Sequence, residues 1–225
     1  MWETIRIIEN MGKWKPKIVI WENVKGVLAK DMIHSFQKYF VEMERLGYTN
    51  SYKVLDARDF GIPQKRERVF VISMLDGHWF NFDTLEHKPM RSVDEFILDH
   101  VDDKYTITSP SMLRAINKRN GFGGGLKPIE EYSWTITTKQ NRVPNSGIVT
   151  IGNGKYRLLT ELECWRLMGF DDEDYYKVAN EHPTRKNATN GTLYKQAGNS
   201  IVVQVLEAIF KKIIDMGVIE KECMR

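Results

Sequence analysis

The stretch IPQKRERVFVI, residues 62–72, sets charge directly against burial. Gln64, Arg66 and Arg68 occupy every second position, immediately ahead of the apolar run Val69-Phe70-Val71-Ile72. In an extended chain, residues i, i+2 and i+4 project to the same face. One face at the mouth of an expected strand therefore carries an amide and two guanidinium groups. Two like charges beside a segment that seeks burial require a shared task.

Working outward, the flanking segments set the fold class. After Pro16, KIVIW (17–21) is a short continuous apolar run, as expected of a strand buried on both faces of a parallel sheet. ENVKGVLAKD (22–31) reads as a loop, and a helix follows from about Met32 to Leu46, closed by Gly47. SYKVLDA (51–57) alternates as a strand, and ETIRIIENMG (3–12) reads as an amphipathic helix ending at Gly12. This strand–helix–strand rhythm predicts an α/β fold. An unpaired KIVIW edge would favour association.

Beyond about His78 the rhythm is lost. RSVDEFIL (91–98) offers a capping box, Ser92 with Glu95, and glycines cluster in NGFGGGLKP (120–128). LTELECWRLMGF (159–170) restores a helix, with Thr160 and Glu163 as a second capping box. In the closing AGNSIVVQVLEAIFKKIIDMG (197–217), Ile201, Val202, Val205, Ala208, Ile209 and Ile213 share one helical face. The expected organisation is an α/β piece over 1–80, a basic insertion over 81–155, and a helical return over 156–225.

Composition excludes some classes. With 42% hydrophobic and 28% charged residues over 225 positions, the chain is globular in type. No apolar run reaches membrane-span length, and the N-terminus has no signal-peptide pattern. Cys164 and Cys223 form neither a metal-type spacing nor a disulfide framework, so a reducing cytoplasm is expected. Between Lys104 and Arg157 stand nine Lys/Arg and two acidic residues, Glu130 and Glu131, so this window carries +7 where the whole chain carries +3. Segregated charge of this kind suits a polyanion partner, or else a solvated basic loop region.

Four stretches could carry chemistry: WENVKGVL (21–28), IPQKRERVFVI (62–72), YRLLTELECWRLMGF (156–170) and YKQAGNSIVVQVLEAIF (194–210). Taken singly, each has an ordinary reading. Glu22 could be a solvated loop carboxylate, Arg66 and Arg68 a solvated strand end, Cys164 and Met168 core residues, and Asn199 or Ser200 a helix cap. Taken together and in this order, they resemble the C-terminal part of the C5-cytosine DNA methyltransferase family. The matching motifs are Glu-Asn-Val, Gln-x-Arg-x-Arg, a target-recognition region, Arg-Leu-x-Gly-Phe and Gly-Asn-Ser.

The resemblance implies the second half of a Rossmann-like methyltransferase catalytic domain plus a small mixed α+β target-recognition domain. Such enzymes flip a cytosine from double-stranded DNA, attack its C6 with a cysteine thiolate, and methylate C5 from S-adenosylmethionine. By the family pattern, Glu22 would face N3 and the exocyclic amine, and Arg68 the cytosine O2. Arg66 would hold Glu22 and nearby phosphate, and Gln64 would support them. Asn199 and the backbone at Ile201 would border the cofactor, with Ser200 near the DNA backbone. In the recognition region, Thr135-Ile136-Thr137 resembles a recurring motif. Lys139, Gln140, Asn141 and Arg142 are side chains that read bases or bind phosphate, with Asn117, Arg119 and Asn120 weaker candidates.

The sequence departs from the family in two places. Neither the aromatic-x-Gly-x-Gly cofactor loop nor the Pro-Cys nucleophile loop is found, and neither cysteine matches the nucleophile's position. The expectation is a C-terminal portion, active only with an N-terminal half and holding only the edge of the cofactor site. It would belong to a prokaryotic or phage restriction–modification system and act at the nucleoid in the cytoplasm. A non-catalytic DNA-binding remnant is the alternative, although Glu22, Gln64, Arg66 and Arg68 are all present. An unrelated nucleotide-binding α/β protein using GFGGG or GNGK as a phosphate loop ranks last, because neither stretch has a strand–glycine–helix context.

Overall fold

The computed structural model describes residues 2–116, 126–142 and 145–218, arranged in two compact units. The first comprises the described parts of 1–56, 67–86 and 207–225, and the second those of 57–66 and 87–206.

The first unit is built on a three-stranded sheet. Helix α1 (Trp2–Asn10) precedes strand β1 (Ile18–Val24), then come α2 (Ile33–Arg45), β2 (Thr49–Asp56) and, after a short strand β3 (Gln64–Lys65) of the second unit, β4 (Glu67–Met74). The order is β1-β4-β2 and both pairings are antiparallel, with Glu22 opposite Phe70 and Leu55 opposite Arg68. This corrects the expected parallel sheet. An apolar strand requires covered faces rather than parallel neighbours, and KIVIW satisfies that requirement as a half-buried edge strand.

Alternation explains the packing. Val19, Trp21, Val69, Val71 and Val54 share one sheet face and meet Ile5 and Ile8 of α1 and Phe36, Tyr39 and Met43 of α2. Trp21 stacks on Phe36 and Tyr39 with ring centroids 5.9 and 5.4 Å apart. The fully buried side chains among these, such as Phe36, Met43 and Val71, each contribute about 1.5–3 kcal/mol of transfer free energy. The opposite face carries Ile20, Glu22, Arg68, Phe70 and Ile72.

The second unit contains α3 (Pro110–Ala115), β5 (Ser133–Trp134), β6 (Val149–Thr150), β7 (Tyr156–Arg157), α4 (Glu161–Leu167), α5 (Asp172–Glu181) and α6 (Gly191–Asn199). Helix α7 (Val203–Asp215) begins in it and ends in the first unit. β3 pairs in parallel with β5, and β6 with β7 antiparallel. The Thr160–Glu163 capping box opens α4 as expected. The expected Ser92–Glu95 box is instead a short 3-10 turn. Ser92 accepts from the Asp94 amide, and Glu95 pairs with Arg91 at 2.6 Å.

The closing segment is two helices rather than one. α6 stops at Asn199, Ser200 is extended, and α7 starts at Val203, so Ile201 lies in the break. Val202, Val205, Ile209 and Ile213 are buried, as the shared face requires. Gly198 and Asn199 are weak helix formers at the point where the chain bends.

Candidate functional site

In the first unit, the antiparallel register brings Glu22 and Arg68 together. Arg68 stands opposite Val24 and Glu22 opposite Phe70, so the two are diagonal neighbours on one face. Arg68 Nε lies 3.2 Å from Glu22 Oε1, with the side chains 18% and 21% exposed, and Arg68 also donates to the Glu67 carbonyl at 2.8 Å. Burial pulls the Arg68 guanidinium below its ordinary pKa, and the Glu22 charge pushes back. This is a carboxyl and a cation held side by side, partly shielded yet still reachable.

In the second unit, Gln64 and Arg66 are buried and make backbone contacts. Gln64 Nε2 donates to the Leu167 carbonyl at the end of α4 (2.7 Å), and its Oε1 accepts from the Ile136 amide (2.9 Å). Arg66 donates from Nη1 to the Ile136 carbonyl at 3.0 Å, and from Nη2 to the Gly198 and Ser200 carbonyls at 3.2 and 2.8 Å. It thereby satisfies orphan carbonyls at the C-terminus of α6. Thr135 Oγ1 donates to the Lys65 carbonyl at 2.9 Å.

The recognition-type residues divide sharply. Lys139 and Arg142 are exposed on a turn closed by the Arg142 amide and the Lys139 carbonyl at 2.9 Å. Asn141 is half-buried and reaches Thr189 Oγ1 at 3.4 Å. Gln140 departs from the expected base-reading position. It is fully buried, and its amide donates to Ser146 Oγ. Asn117, Arg119 and Asn120 lie outside the described residues, as does Cys223. Asn199 is exposed at the end of α6, Ile201 is half-buried, and Ser200 Oγ donates to the Gln196 carbonyl at 2.7 Å.

A buried polar knot secures α4. Arg157 makes two 2.8 Å bonds to the Glu163 carboxylate, which also accepts from the Thr160 amide at 2.6 Å and the Leu98 amide at 2.8 Å. Glu161 accepts from Tyr105 Oη at 2.5 Å and from the Asn190 amide. Burial, reinforced by Glu161, pushes the Tyr105 hydroxyl far up. Arg157 and Glu161 are residues that sequence reasoning missed. Their trace is an Arg shortly before the capping box and an extra Glu inside it, which reads as ordinary surface charge.

Cys164 sits in this helix, fully buried. Burial pushes its thiol well above the usual range, and Glu163 and Glu161 add to the effect. It is a core side chain rather than a nucleophile. Among the described residues, no His/Cys/Asp/Glu group could hold a metal ion, and no helix is long and apolar enough to cross a membrane.

The model of the family "C-5 cytosine-specific DNA methylase" matches residues 1–215. Type II methyltransferase M2.ScrFI of Lactococcus lactis subsp. cremoris is 36% identical over 95% of this chain and 58% of its own length. Type II methyltransferase M.DsaV of Dactylococcopsis salina is 32% identical over 93% of this chain and 60% of its own. The chain thus spans somewhat over half the length of these relatives. A crystal structure of the S. pombe Dnmt2 methyltransferase shares the fold, with TM-score 0.68 at 19% identity over 95% of this chain and 69% of that one.

Proposed function

Because this chain belongs to the C-5 cytosine-specific DNA methylase family, we propose that it supplies the base-holding and DNA-recognising part of a cytosine-5 methyltransferase. The observation that carries this reading is the Glu22–Arg68 pair, half-shielded on one face of the sheet. A flipped cytosine presents a ring nitrogen, an exocyclic amine and a carbonyl oxygen on one edge. Glu22 matches the first two as a carboxyl that accepts from the amine and shares a proton with N3. Arg68 donates to O2. Attack at C6 puts negative charge into the ring, and a cation and a proton donor fixed in advance stabilise that charge more than they stabilise the resting base.

Within the second unit, Gln64 and Arg66 hold the backbone at Ile136, Leu167, Gly198 and Ser200. Lys139 and Arg142, exposed on one turn, meet phosphate or base edges, and Ser200 lies near the DNA backbone. S-adenosylmethionine supplies the methyl group when bound. The exposed Asn199 amide and half-buried Ile201 fit one border of such a group, a polar and an apolar contact rather than an enclosing pocket. The attacking thiolate is not Cys164, so we assign it to a second polypeptide segment carrying a Pro-Cys loop. The assembly would work on DNA in a bacterial cytoplasm as part of a type II system.

The test is reconstitution. The chain is mixed or co-expressed with a segment carrying the family's Pro-Cys half, and methyl transfer to duplex DNA is followed with labelled cofactor. Transfer that needs both parts and is lost in Glu22→Gln is the expected result. DNA binding with no transfer in any such mixture would leave a non-catalytic binding protein as the better description.

A further inference from the structure

In the second unit, the segment Ser133–Thr138 meets the Gly-Asn-Ser turn backbone to backbone. A Cβ on Gly198 would stand 2.4 Å from the Thr138 nitrogen and 2.5 Å from the Thr137 carbonyl carbon, neither of which is a flexible side-chain end. Glycine is required there because main chain occupies the space a side chain would fill. Arg66 bridges the same seam. One guanidinium, 5% exposed, donates to Ile136 on one side and to Gly198 and Ser200 on the other. Its planar fork reaches carbonyls in divergent directions, which a single ammonium does not. The segment is pinned further by the Ser133 amide on the Pro63 carbonyl (2.9 Å) and by Gln64 on the Ile136 amide.

We propose that Arg66 and Gly198 are positioning residues. They lock the recognition segment to the Gly-Asn-Ser turn, so that the Lys139–Arg142 turn and the Asn199–Ile201 turn move as one body. A shift at one end is then felt at the other, and the geometry of DNA reading is set partly by two residues that touch no base. For its DNA readout, the proposal rests on the methylase reading.

The experiment compares Arg66→Lys, Gly198→Ala, the double variant, and Gly191→Ala as a control, since the nearest atom to a Cβ at Gly191 is 3.9 Å away. Hydrogen exchange of 133–138 and 196–201 is followed first, without DNA. Either single variant is expected to speed exchange in both segments about tenfold. The double variant should go little further than the stronger single, because the two residues act on one joint. Loosening confined to the substituted segment, or fully multiplicative effects, would overturn the proposal.

Next, each variant is scored on a duplex that the wild-type chain selects from a randomised pool, against the pool itself. Mispositioning is expected to lower this discrimination about tenfold while the salt dependence of binding to the pool is retained. General destabilisation would lower both affinities together. Arg66→Lys that keeps discrimination, with Arg66→Gln losing about one unit of salt slope, would make Arg66 a phosphate contact and overturn the assignment. A wild-type chain that selects no sequence refutes the proposed DNA-recognising role instead, and the exchange comparison then decides the joint by itself.

Discussion

Glu22 on β1 and Arg68 on β4 are diagonal neighbours across an antiparallel pair, their charged groups 3.2 Å apart on the face away from α1 and α2. Exposure of about a fifth places the pair between a surface ion pair and a sealed one. Such a pair contributes little to stability, on the order of 1 kcal/mol or less. Its value lies in holding a carboxyl and a cation ready for a ligand.

Glu22→Gln is therefore expected to separate stability from activity. Urea unfolding of the chain should shift by about 1 kcal/mol or less. Methyl transfer by the reconstituted enzyme should fall by roughly two to three orders of magnitude, as when one preorganised charge-stabilising group is lost. Stability loss well beyond that bound, with turnover retained, would make the pair structural.

The Arg157–Glu163 pair should behave in the opposite way. Its side chains are 4% and 0% exposed, and breaking it leaves a buried charge without its counter-ion. Arg157→Met alone is expected to cost about 3–5 kcal/mol. Adding Glu163→Gln should recover part of that loss, because it removes the unpaired buried charge while its one amide oxygen still accepts from either the Thr160 or the Leu98 amide. Chemical denaturation of the two variants measures the difference, and a double variant no better than the single would contradict it.

Tyr175 sets an alkaline limit. Burial, with the Glu161 charge behind it, pushes its hydroxyl from 10.0 up to about 12. A raised folded value means the native state keeps its proton while the unfolded chain releases its own. The stabilisation is thus complete below about 10 and is lost as pH rises toward about 12. Tyr175→Phe should flatten the fall in melting temperature across that window and leave the neutral range unchanged. An identical alkaline profile in both proteins would rule this out.

The open side of β1 predicts self-association. Among the described residues it pairs only with β4, and it presents Ile18, Val19, Ile20 and Trp21 with no lysine or proline inside the strand. Such an edge is a template for another chain. Sedimentation at rising concentration should show association, weakened by Val24→Lys at its exposed end. A monomer at every concentration would be incompatible with this view.

Much of the fold was legible because its signals are local. Capping at Thr160, the helix after Met32 and the apolar run after Arg68 each follow from a few adjacent residues. Strand direction was not legible, since Ile18–Trp21 look alike in parallel and antiparallel company. The partners of Arg66 were not legible either. Alternation placed it beside Arg68, but its carbonyl partners lie 70 to 134 residues away along the chain. Gln140 shows the same limit: an amide in a basic turn reads as a ligand contact until packing buries it.

The strand order has a bearing on how such proteins diverge. β4 lies directly beside β1, while the chain between them runs out through α2 and returns along β2 on the far side of β4. The distance from Glu22 to Arg68 is fixed by the β1–β4 ladder alone and is independent of the length of that excursion. Lineages can lengthen or shorten the loops around α2 without disturbing the pair, whereas a single-residue deletion inside β1 or β4 would turn one of the two to the wrong face.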